Sequence, residues 1–415
     1  MKTKRRIVRI KNAVKPVVEP VTNPIRDLAE SGRLSGVLLL VATAIALSWA
    51  NSSHGEEFLA FWQQKVGFPP LDKSISHWVN DGLMAVFFFF VGLEIKREIL
   101  VGELSDWRQA VLPVVAALGG AIVPATIYLT FNADSTAANG WAIPTATDIA
   151  FSLGMLSLLG KRVPFALKVL LTAIAVIDDL IAVLVIALFY TNEIHADMVL
   201  GAAATLTVLF ALNYFKVLRF MFYLIPGLLL WFFILKSGVH ATIAGVLLAV
   251  TIPLSQLGRI EHALYKPVNY LIMPIFALAN TGIVLTGNIY ALLTLPLSLG
   301  IVAGLFLGKP LGIVLFSWGV VKSGGAKLPL GLKWRHIIGL GFTAGIGFTM
   351  SIFIAGLSFT DAAQQSGAKL AIMVGTVLSG VVGLLWLVKV EKRLTSQMKS
   401  KQRFQVSGEK LKKVP

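Results

Sequence analysis

The 415 residues of this chain are 56% hydrophobic and only 14% charged, and their mean hydropathy is +0.78. Soluble globular domains carry about 25% charged residues, so this composition excludes that class and predicts an all-α polytopic membrane protein. The chain has no cysteine, which excludes disulfides, thiolate-held iron–sulfur clusters and thiol chemistry. The net charge of +16 does not predict a nucleic-acid partner, because nine Lys and Arg precede Leu34 and nine follow Leu387, at the two ends of the apolar region.

The chain divides into a basic N-terminal arm at residues 1–33, an apolar region at 34–390 and a basic C-terminal tail at 391–415. A helix needs about 20 apolar residues to cross a membrane, and the apolar region contains about 12 such runs. The predicted spans cover residues 34–50, 77–100, 110–131, 141–159, 163–190, 198–214, 220–235, 239–253, 268–285, 295–320, 337–359 and 370–390.

The distribution of basic residues orients these spans. With the N-terminus inside, the tails, the inward connections and the inner span ends hold 32 of the 37 Lys and Arg. The positive-inside rule therefore places both termini in the cytoplasm.

Two of the predicted spans contain helix-breaking residues. In the fourth span, Pro144 precedes the polar residues 145–148, which removes a backbone donor and offers competing side-chain hydrogen bonds. In the eleventh span, residues 341–349 contain three glycines. The two spans run in opposite directions, so spans 3–5 and spans 10–12 form two triplets of opposite topology. This inverted-topology repeat predicts a transport site at the midplane, where the two broken helices cross.

Two adjacent carboxylates, Asp178 and Asp179, lie in the middle of the apolar run 169–190. A charged side chain at the centre of a bilayer costs roughly 2.5–3.5 kcal/mol, so two in succession indicate a function. Carboxylate oxygens suit hard cations such as Na⁺, by extension from Ca²⁺ and Mg²⁺, and they also take up protons. We interpret the pair as a cation or proton site; a structural pair with a buried cation is the alternative.

Two further charges lie near the middle of predicted spans. Asp148, in the break of the fourth span, can neutralise the free N–H groups at the second half of a broken helix. Lys309, near the centre of the tenth span, can neutralise the free carbonyls of a first half or a nearby carboxylate. Lys309 is too central to reach an interface easily, so we expect a structural and electrostatic role and leave open that it carries a proton.

Proteins of other classes share parts of this pattern. An intramembrane aspartyl protease also has two embedded carboxylates, but they converge on one water from different helices, whereas Asp178 and Asp179 lie about 100° apart on one helix. A passive cation channel would not need paired acids or obligate exchange. The sequence contains no phosphate-binding loop, so ATP-driven pumping is not expected, and neither an enzyme activity nor a cofactor is predicted.

Several segments resemble the bacterial NhaA-type Na⁺/H⁺ antiporters. The matching segments are 91–98 (VGLEIKRE), 141–151 (WAIPTATDIAF), 177–180 (IDDL), 235–242 (LKSGVHAT), 308–312 (GKPLG) and 347–353 (GFTMSIF). The resemblance covers residues 34–390. It implies a homodimeric transporter of the bacterial inner membrane, in contact with lipid, that exchanges cytoplasmic Na⁺ or Li⁺ for external H⁺. It also implies two protons per cation, so that each cycle moves net charge.

The resemblance further implies roles for particular residues. It assigns cation and proton binding to Asp178 and Asp179, with Thr147 and Asp148 at the crossing of the broken helices, and charge compensation to Lys309. The implied dimer contact is a hairpin in the first external loop, at about residues 51–74. The family pattern assigns a response to pH to a larger group, namely Glu94, Arg97, Glu98, His240 and Glu261.

The residues alone leave the pH response open. Glu94, Arg97 and Glu98 share one helix face, which is equally typical of an interfacial ion-pair cluster. The connection at residues 255–262 is short and poor in charges, and Tyr265 stands where the family pattern predicts a histidine. We therefore expect the set point of any pH activation to differ from the family pattern, while transport is retained.

Overall fold

The computed structural model describes residues 34–69, 71–191, 194–285 and 289–411, without the side chains of Lys161 and of 394–411. The predicted N-terminal arm, 1–33, lies outside the described residues, as do the last four residues of the predicted tail. The structure is 79% helical, which confirms the all-α class.

The helices of the first half of the chain are α1 (Leu34–Ala50), α2 (Gly55–Gln63), α3 (Ile75–His77), α4 (Met84–Leu100), α5 (Trp107–Asn132), α6 (Ile149–Leu158), α7 (Phe165–Phe189), α8 (Ala196–Tyr214) and α9 (Met221–Lys236). Those of the second half are α10 (Ile243–Thr251), α11 (Leu254–Pro267), α12 (Met273–Asn280), α13 (Ile289–Leu293), α14 (Pro296–Ala303), α15 (Lys309–Lys322), α16 (Trp334–Ala344), α17 (Phe348–Ser358) and α18 (Ala362–Leu411). Other helical segments are the 3-10 helices Ala138–Thr145 and Gly160–Arg162 and the π-helices Trp78–Leu83, Val268–Ile272 and Gly304–Gly308.

Several of these segments are long and apolar enough to cross a membrane. In the described part of the chain there are five, namely Trp107–Asn132, Phe165–Phe189, Ala196–Tyr214, Pro296–Lys322 and Ala362–Arg393. The number rises to seven if two bent pairs each form one span: α1 with α2, at 113°, and α16 with α17, at 47°. The protein is thus a polytopic membrane protein, and the total of twelve spans and the inverted repeat remain predictions.

The described residues form two compact units. The first comprises residues 34–105, 149–157 and 179–289. In it, α4 packs directly on α10, because a Cβ at Gly245 would overlap the carbonyl of Ala85, and one at Gly92 would lie 2.7 Å from the Ala249 Cβ. The apolar core of this unit joins α4 and α8–α11. The connection at 255–262, predicted to be a short linker, is part of the helix α11.

The second unit comprises residues 106–148, 158–178 and 290–411. Its central contact is the crossing of α5 and α15, where Gly119 and Gly312 face each other. A Cβ at either glycine would overlap the carbonyl of the other, so the two backbones are in contact. Small residues allow membrane helices to approach this closely. Close approach strengthens van der Waals packing, which drives helix association in lipid because no hydrophobic effect acts there.

The loop between α1 and α4 contains the hairpin that the family resemblance implied. Strands β1 (Lys65–Val66) and β2 (Lys73–Ser74) pair antiparallel, with Lys65 opposite Ser74. The Trp78 indole donates to the carbonyl of Val66 at 2.8 Å and so fastens the hairpin to the following helix. Part of the predicted polar loop forms the helix α2 instead, and the dimer contact remains a prediction.

We expect Gly312→Ala to lower the melting temperature (Tm) of the purified protein, because the added methyl group forces α15 away from α5. Overpacking of this kind costs about 1–3 kcal/mol. The matched control is Gly319→Ala in the same helix, where a Cβ would meet nothing within 4 Å. Because alanine is the better helix former, the control should leave Tm unchanged or raise it slightly. Equal Tm values for the two variants would contradict the close crossing.

Candidate ion-binding site

The predicted fourth span is interrupted as the sequence indicates. A 3-10 helix ends at Thr145, Ala146 is extended with φ −81° and ψ 153°, and α6 begins at Ile149. The Thr145 hydroxyl donates to the carbonyl of Ala142 at 2.8 Å, so a local side-chain bond competes with helix continuation. Thr147 and Asp148 lie in the interruption, 0% and 1% exposed.

The predicted eleventh span is interrupted between α16 and α17. The break comprises Gly345, Ile346 and Gly347, and the two helices on either side are bent by 47°. A Cβ at Gly345 would overlap the carbonyl of Leu305, and one at Gly347 would overlap the Ser351 hydroxyl. A side chain at Gly345 is therefore blocked by the backbone, whereas one at Gly347 would force the Ser351 side chain to move.

The two interruptions are hydrogen-bonded to each other. The Asp148 amide donates to the Ile346 carbonyl at 2.7 Å, and the Thr147 hydroxyl, whose single proton is shared with Asp178, lies 2.9 Å from the Ala344 carbonyl oxygen. These bonds satisfy backbone groups that the helix breaks leave without an intrahelical partner. The breaks of both spans thus meet in the second unit.

Asp148 lies at the N-terminal end of α17. Its Oδ2 accepts hydrogen bonds from the Thr349 amide, at 3.2 Å, and from the Thr349 hydroxyl. A carboxylate is favourable there because the free N–H groups of a helix N-terminus carry partial positive charge. Asp148 therefore caps a broken helix, as the sequence suggested, but the helix belongs to the other broken span.

Lys309 makes both of the contacts that the sequence left as alternatives. Its ammonium lies 2.7 Å from Asp178 Oδ2, and it donates to the carbonyl of Thr145, at the end of the first half of the broken span. The Thr147 hydroxyl donates to the same Asp178 oxygen at 2.6 Å. The side chains of Lys309 and Asp178 are both 0% exposed. The π-helix Gly304–Gly308 precedes Lys309 and ends against Pro124, since a Cβ at Gly308 would lie 2.8 Å from the Pro124 Cα.

The second carboxylate oxygen of Asp178 is available for a cation or a proton. Among the described residues, no hydrogen-bond partner lies on Asp178 Oδ1, although the atom is buried. Asp179 follows on α7 and is 1% exposed. Asp148, Asp178 and Asp179 do not converge into one cluster: no group of three or more acids, histidines or cysteines with the geometry of a metal site occurs in the described part of the chain. A cation here would need hydroxyl or carbonyl oxygens as well as carboxylates.

Four of the residues assigned to a pH response form a buried cluster in the first unit. The Arg97 guanidinium binds Glu98 at 2.8 Å and Glu261 at 3.0 Å. Glu94 is 3% exposed, and its Oε1 has no hydrogen-bond partner among the described residues. His240 lies in the turn before α10, and in the described part of the chain it forms no ion pair with this cluster.

The pKa of Glu261, which lies on the helix α11, is shifted in opposite directions by its surroundings. Burial raises the pKa of Glu261, while the charge and the hydrogen bond of Arg97 lower it. The effect of burial is the larger one, so the protonated form is favoured relative to a carboxyl group in water.

The sequence analysis did not identify several contacts at the helix breaks. The Ser351 hydroxyl donates to the Ile143 carbonyl at 2.7 Å, and the Thr376 hydroxyl of α18 accepts from the Phe348 amide at 3.3 Å. Thr349 and Ser351 belong to the segment GFTMSIF, so that segment could have indicated them. Thr376 lies in an apolar run without any local signal.

The sequence of this chain is similar to the sequences of known proteins. The family described as Na⁺/H⁺ antiporter 1 matches residues 26–387. The chain belongs to this family. Antiporters are transporters, so family membership rules out the protease interpretation and assigns Na⁺/H⁺ exchange rather than an enzyme activity.

Individual relatives agree with the family match. The chain is 50% identical over 379 residues to "Na(+)/H(+) antiporter NhaA 2" of Flavobacterium johnsoniae, covering 89% of this chain and 93% of that protein. It is 52% identical over 367 residues to "Na(+)/H(+) antiporter NhaA" of Dechloromonas aromatica, covering 86% and 93%. The protein of the same name from Vibrio cholerae is 49% identical over 369 residues, covering 86% and 96%.

We expect Lys309→Ala to lower Tm strongly, because it leaves the Asp178 carboxylate buried without a counter-charge. Breaking a buried ion pair in this way costs about 3–5 kcal/mol. The double variant Lys309→Ala/Asp178→Asn should recover part of this loss, since the remaining group is then uncharged. Lys322→Ala, at the exposed end of the same helix, is the control and should keep the parent Tm. An unchanged Tm with lost transport would instead assign Lys309 as a proton carrier.

Proposed function

We propose that this protein is an electrogenic antiporter that exports cytoplasmic Na⁺ or Li⁺ in exchange for two external protons. The observation that supports this most strongly is the Lys309–Asp178 pair, a fully buried carboxylate with one oxygen neutralised and the other without a donor among the described residues. A purely structural ion pair would be more stable with both carboxylate oxygens satisfied. An oxygen left open in this way suits a transported ion.

Competition for the same oxygens couples the two ions. In the inward-facing state, Na⁺ displaces protons from Asp178 and Asp179. A cation bound at Asp178 weakens the ion pair between Lys309 and that carboxylate. The hydrogen bond from the Lys309 ammonium to the Thr145 carbonyl remains. Movement of the broken spans then exposes the loaded site to the outside, where protons displace Na⁺ and the protonated site returns.

The proposed stoichiometry makes the membrane potential a driving force. Two protons entering for each Na⁺ leaving move one elementary charge inward. One elementary charge is worth roughly 2.3 kcal/mol per 100 mV, so an inside-negative potential drives export of Na⁺ against its gradient. The proposed location is the inner membrane, with both termini in the cytoplasm and a homodimer contact at the hairpin β1–β2.

We also propose that the cluster of Arg97 with its three carboxylates responds to pH. One guanidinium faces Glu94, Glu98 and Glu261, so the cluster carries excess negative charge when all three acids are ionised. The ammonium of the nearby Lys96 does not pair with these acids in the described structure and donates instead to the Val250 and Ile252 carbonyls at 2.6 and 2.5 Å. Burial disfavours excess charge, so uptake and release of protons should alter the packing of α4 on α11.

We expect Asp178→Asn and Asp179→Asn each to abolish exchange while leaving insertion intact, since an amide cannot exchange a proton for a cation. The measurement is the dissipation of a preformed pH gradient when NaCl, LiCl or KCl is added to everted membrane vesicles. Asp197→Asn, in the exposed first turn of α8, is the matched control and should exchange like the parent. Normal exchange in both α7 variants would refute the site. A cation flux without proton movement would favour a channel.

We expect Glu261→Gln to change how Tm depends on pH between roughly pH 5 and 8, a range that covers a carboxyl pKa raised above its ordinary value of about 4.3. A carboxyl group with a raised pKa stabilises the fold at low pH and loses that contribution as pH rises through its pKa in the fold. The Tm of the parent minus that of the variant should therefore fall as pH rises. A difference that grows with pH would mean that the bond to Arg97 outweighs burial.

A further inference from the structure

The helix α16, which forms the first half of the broken eleventh span, has an imidazole at its N-terminal end. His336 is the third residue of this helix and is 1% exposed. The backbone N–H group of Lys333, the residue that precedes the helix, donates to Nδ1 of His336 at 2.8 Å. A side chain that reaches back in this way caps the helix, because it satisfies an amide that has no intrahelical acceptor.

This hydrogen bond determines where the imidazole carries its hydrogen. A ring nitrogen that accepts from an N–H group has no hydrogen of its own, so the hydrogen of the neutral ring is on Nε2. Nε2 lies 3.1 Å from Oε1 of Glu391 on α18. The neutral ring of His336 thus faces an amide with one nitrogen and a carboxylate with the other.

The helix α16 connects His336 with the ion-binding site. Its first turn is fastened to α18, because the Trp386 indole donates to the Arg335 carbonyl at 2.8 Å. Its last residue is Ala344, whose carbonyl oxygen lies 2.9 Å from the Thr147 hydroxyl. The helix has 11 residues and is therefore roughly 16 Å long. A displacement of its start can thus reach the break through one rigid element.

We propose that His336 is a proton-sensitive cap of α16: protonation removes the acceptor of the Lys333 amide, releases the start of the helix and so slows exchange at low pH. The effect on exchange rests on the proposed function, whereas the titration of the cap does not. This contact lies in the second unit and is separate from the cluster around Arg97, which lies in the first.

The physical reason is that an imidazolium cannot accept a hydrogen bond. When Nδ1 takes up a proton, two N–H groups face each other and the Lys333 amide loses its acceptor. The same proton strengthens the contact of Nε2 with Glu391, because an ion pair replaces a contact between a neutral ring and a carboxylate. Protonation therefore exchanges a contact at the start of α16 for a stronger one to α18. Histidine in water changes charge at about pH 6.5.

The charges around the imidazole come from three elements and one connection. The Glu391 carboxylate of α18 attracts a positive charge on the ring, and the Lys333 ammonium repels it. The other charged residues at this end of α15, α16 and α18, up to Arg393, and in the connection from α15 to α16 are all cations, namely Lys322, Lys327, Arg335, Lys389, Lys392 and Arg393.

The test replaces the imidazole with a cap that does not titrate. In His336→Gln the amide oxygen takes the Lys333 N–H group, since glutamine at this position of a helix forms a capping box, and no proton displaces it in this range of pH. His336→Leu removes the acceptor at every pH. The matched control is His195→Gln, because His195 precedes α8, is exposed and forms no side-chain cap.

The first measurement is hydrogen exchange of the backbone amides of residues 333–337 in the purified proteins, at roughly pH 5.5 to 8, a range that brackets the titration of histidine. Each rate is divided by the intrinsic rate at that pH. We expect the protection in the parent to fall roughly fivefold on acidification, the effect of one lost cap. Protection should stay constant in His336→Gln and be low throughout in His336→Leu, while His195→Gln should follow the parent.

The second measurement is Na⁺-dependent exchange in everted vesicles over the same range of pH. The contacts at the break are observed with α16 capped, so loss of the cap should weaken them. The rate of His336→Gln divided by that of the parent should therefore rise roughly fivefold from the alkaline to the acidic end of the range. The Arg97 cluster is the same in both proteins, so its own response cancels in this ratio.

Three results would overturn the inference. They are a protection of the α16 start that does not change with pH in the parent, an equal fall of protection in His336→Gln, and a constant ratio of the two exchange rates. If His336→Leu does not fold, the comparison of the parent with His336→Gln still decides. A parent without Na⁺-dependent exchange at any pH would refute the proposed function, and hydrogen exchange would then still show whether the cap titrates.

Discussion

The ion pair between Lys309 and Asp178 is the interaction on which the second unit depends. The two charges lie 2.7 Å apart and are completely removed from water, and the desolvation of each costs several kcal/mol of free energy. Their mutual attraction offsets this cost only if the remaining donors and acceptors are also satisfied. The ammonium therefore also binds the Thr145 carbonyl, and Thr147 donates to Asp178. These extra contacts exist because the helix is broken at this point.

The broken helices supply charges of both signs at one place. The 3-10 helix that ends at Thr145 presents carbonyl oxygens, to which Lys309 binds, and α17 presents N–H groups, to which Asp148 and Thr376 bind. Each partial charge of a helix end thus has a neighbour of opposite polarity. An unbroken helix in the same position would have satisfied its own backbone and would have offered neither charge. The interruption is therefore what allows polar groups to be assembled inside an apolar protein.

The first unit contains the contrasting case of an unbalanced cluster. Arg97 binds two carboxylates, and a third, Glu94, lies buried on the same helix with one oxygen lacking a partner among the described residues. One guanidinium thus faces three acids in this cluster, whereas one ammonium faces one acid in the Lys309–Asp178 pair. This difference in charge balance accompanies the different tasks proposed for the two clusters, a response to pH for the first and ion exchange for the second.

Local patterns in the sequence determined the class of this protein and the positions of its unusual residues. Apolar composition determined an all-α membrane protein, and Pro144 and the glycines at 341–347 determined where two spans break. The carboxylates of α7 were evident because charge is costly in a membrane wherever it lies. Each of these signals acts over a few residues, so it can be read without knowledge of the fold.

Only the tertiary structure decided which of these residues meet. Lys309 and Asp178 are 131 positions apart, and Asp148 and Thr349 are 201 apart, so no local periodicity relates them. The sequence left Lys309 with two alternative partners, and the fold brings it to both, one on α7 and one at the end of the 3-10 helix Ala138–Thr145. The capping of α17 by Thr376 depends on how α18 packs along a break in another helix. The Thr376 hydroxyl lies in an otherwise apolar helix. It becomes a capping group only because packing places the Phe348 N–H group beside it.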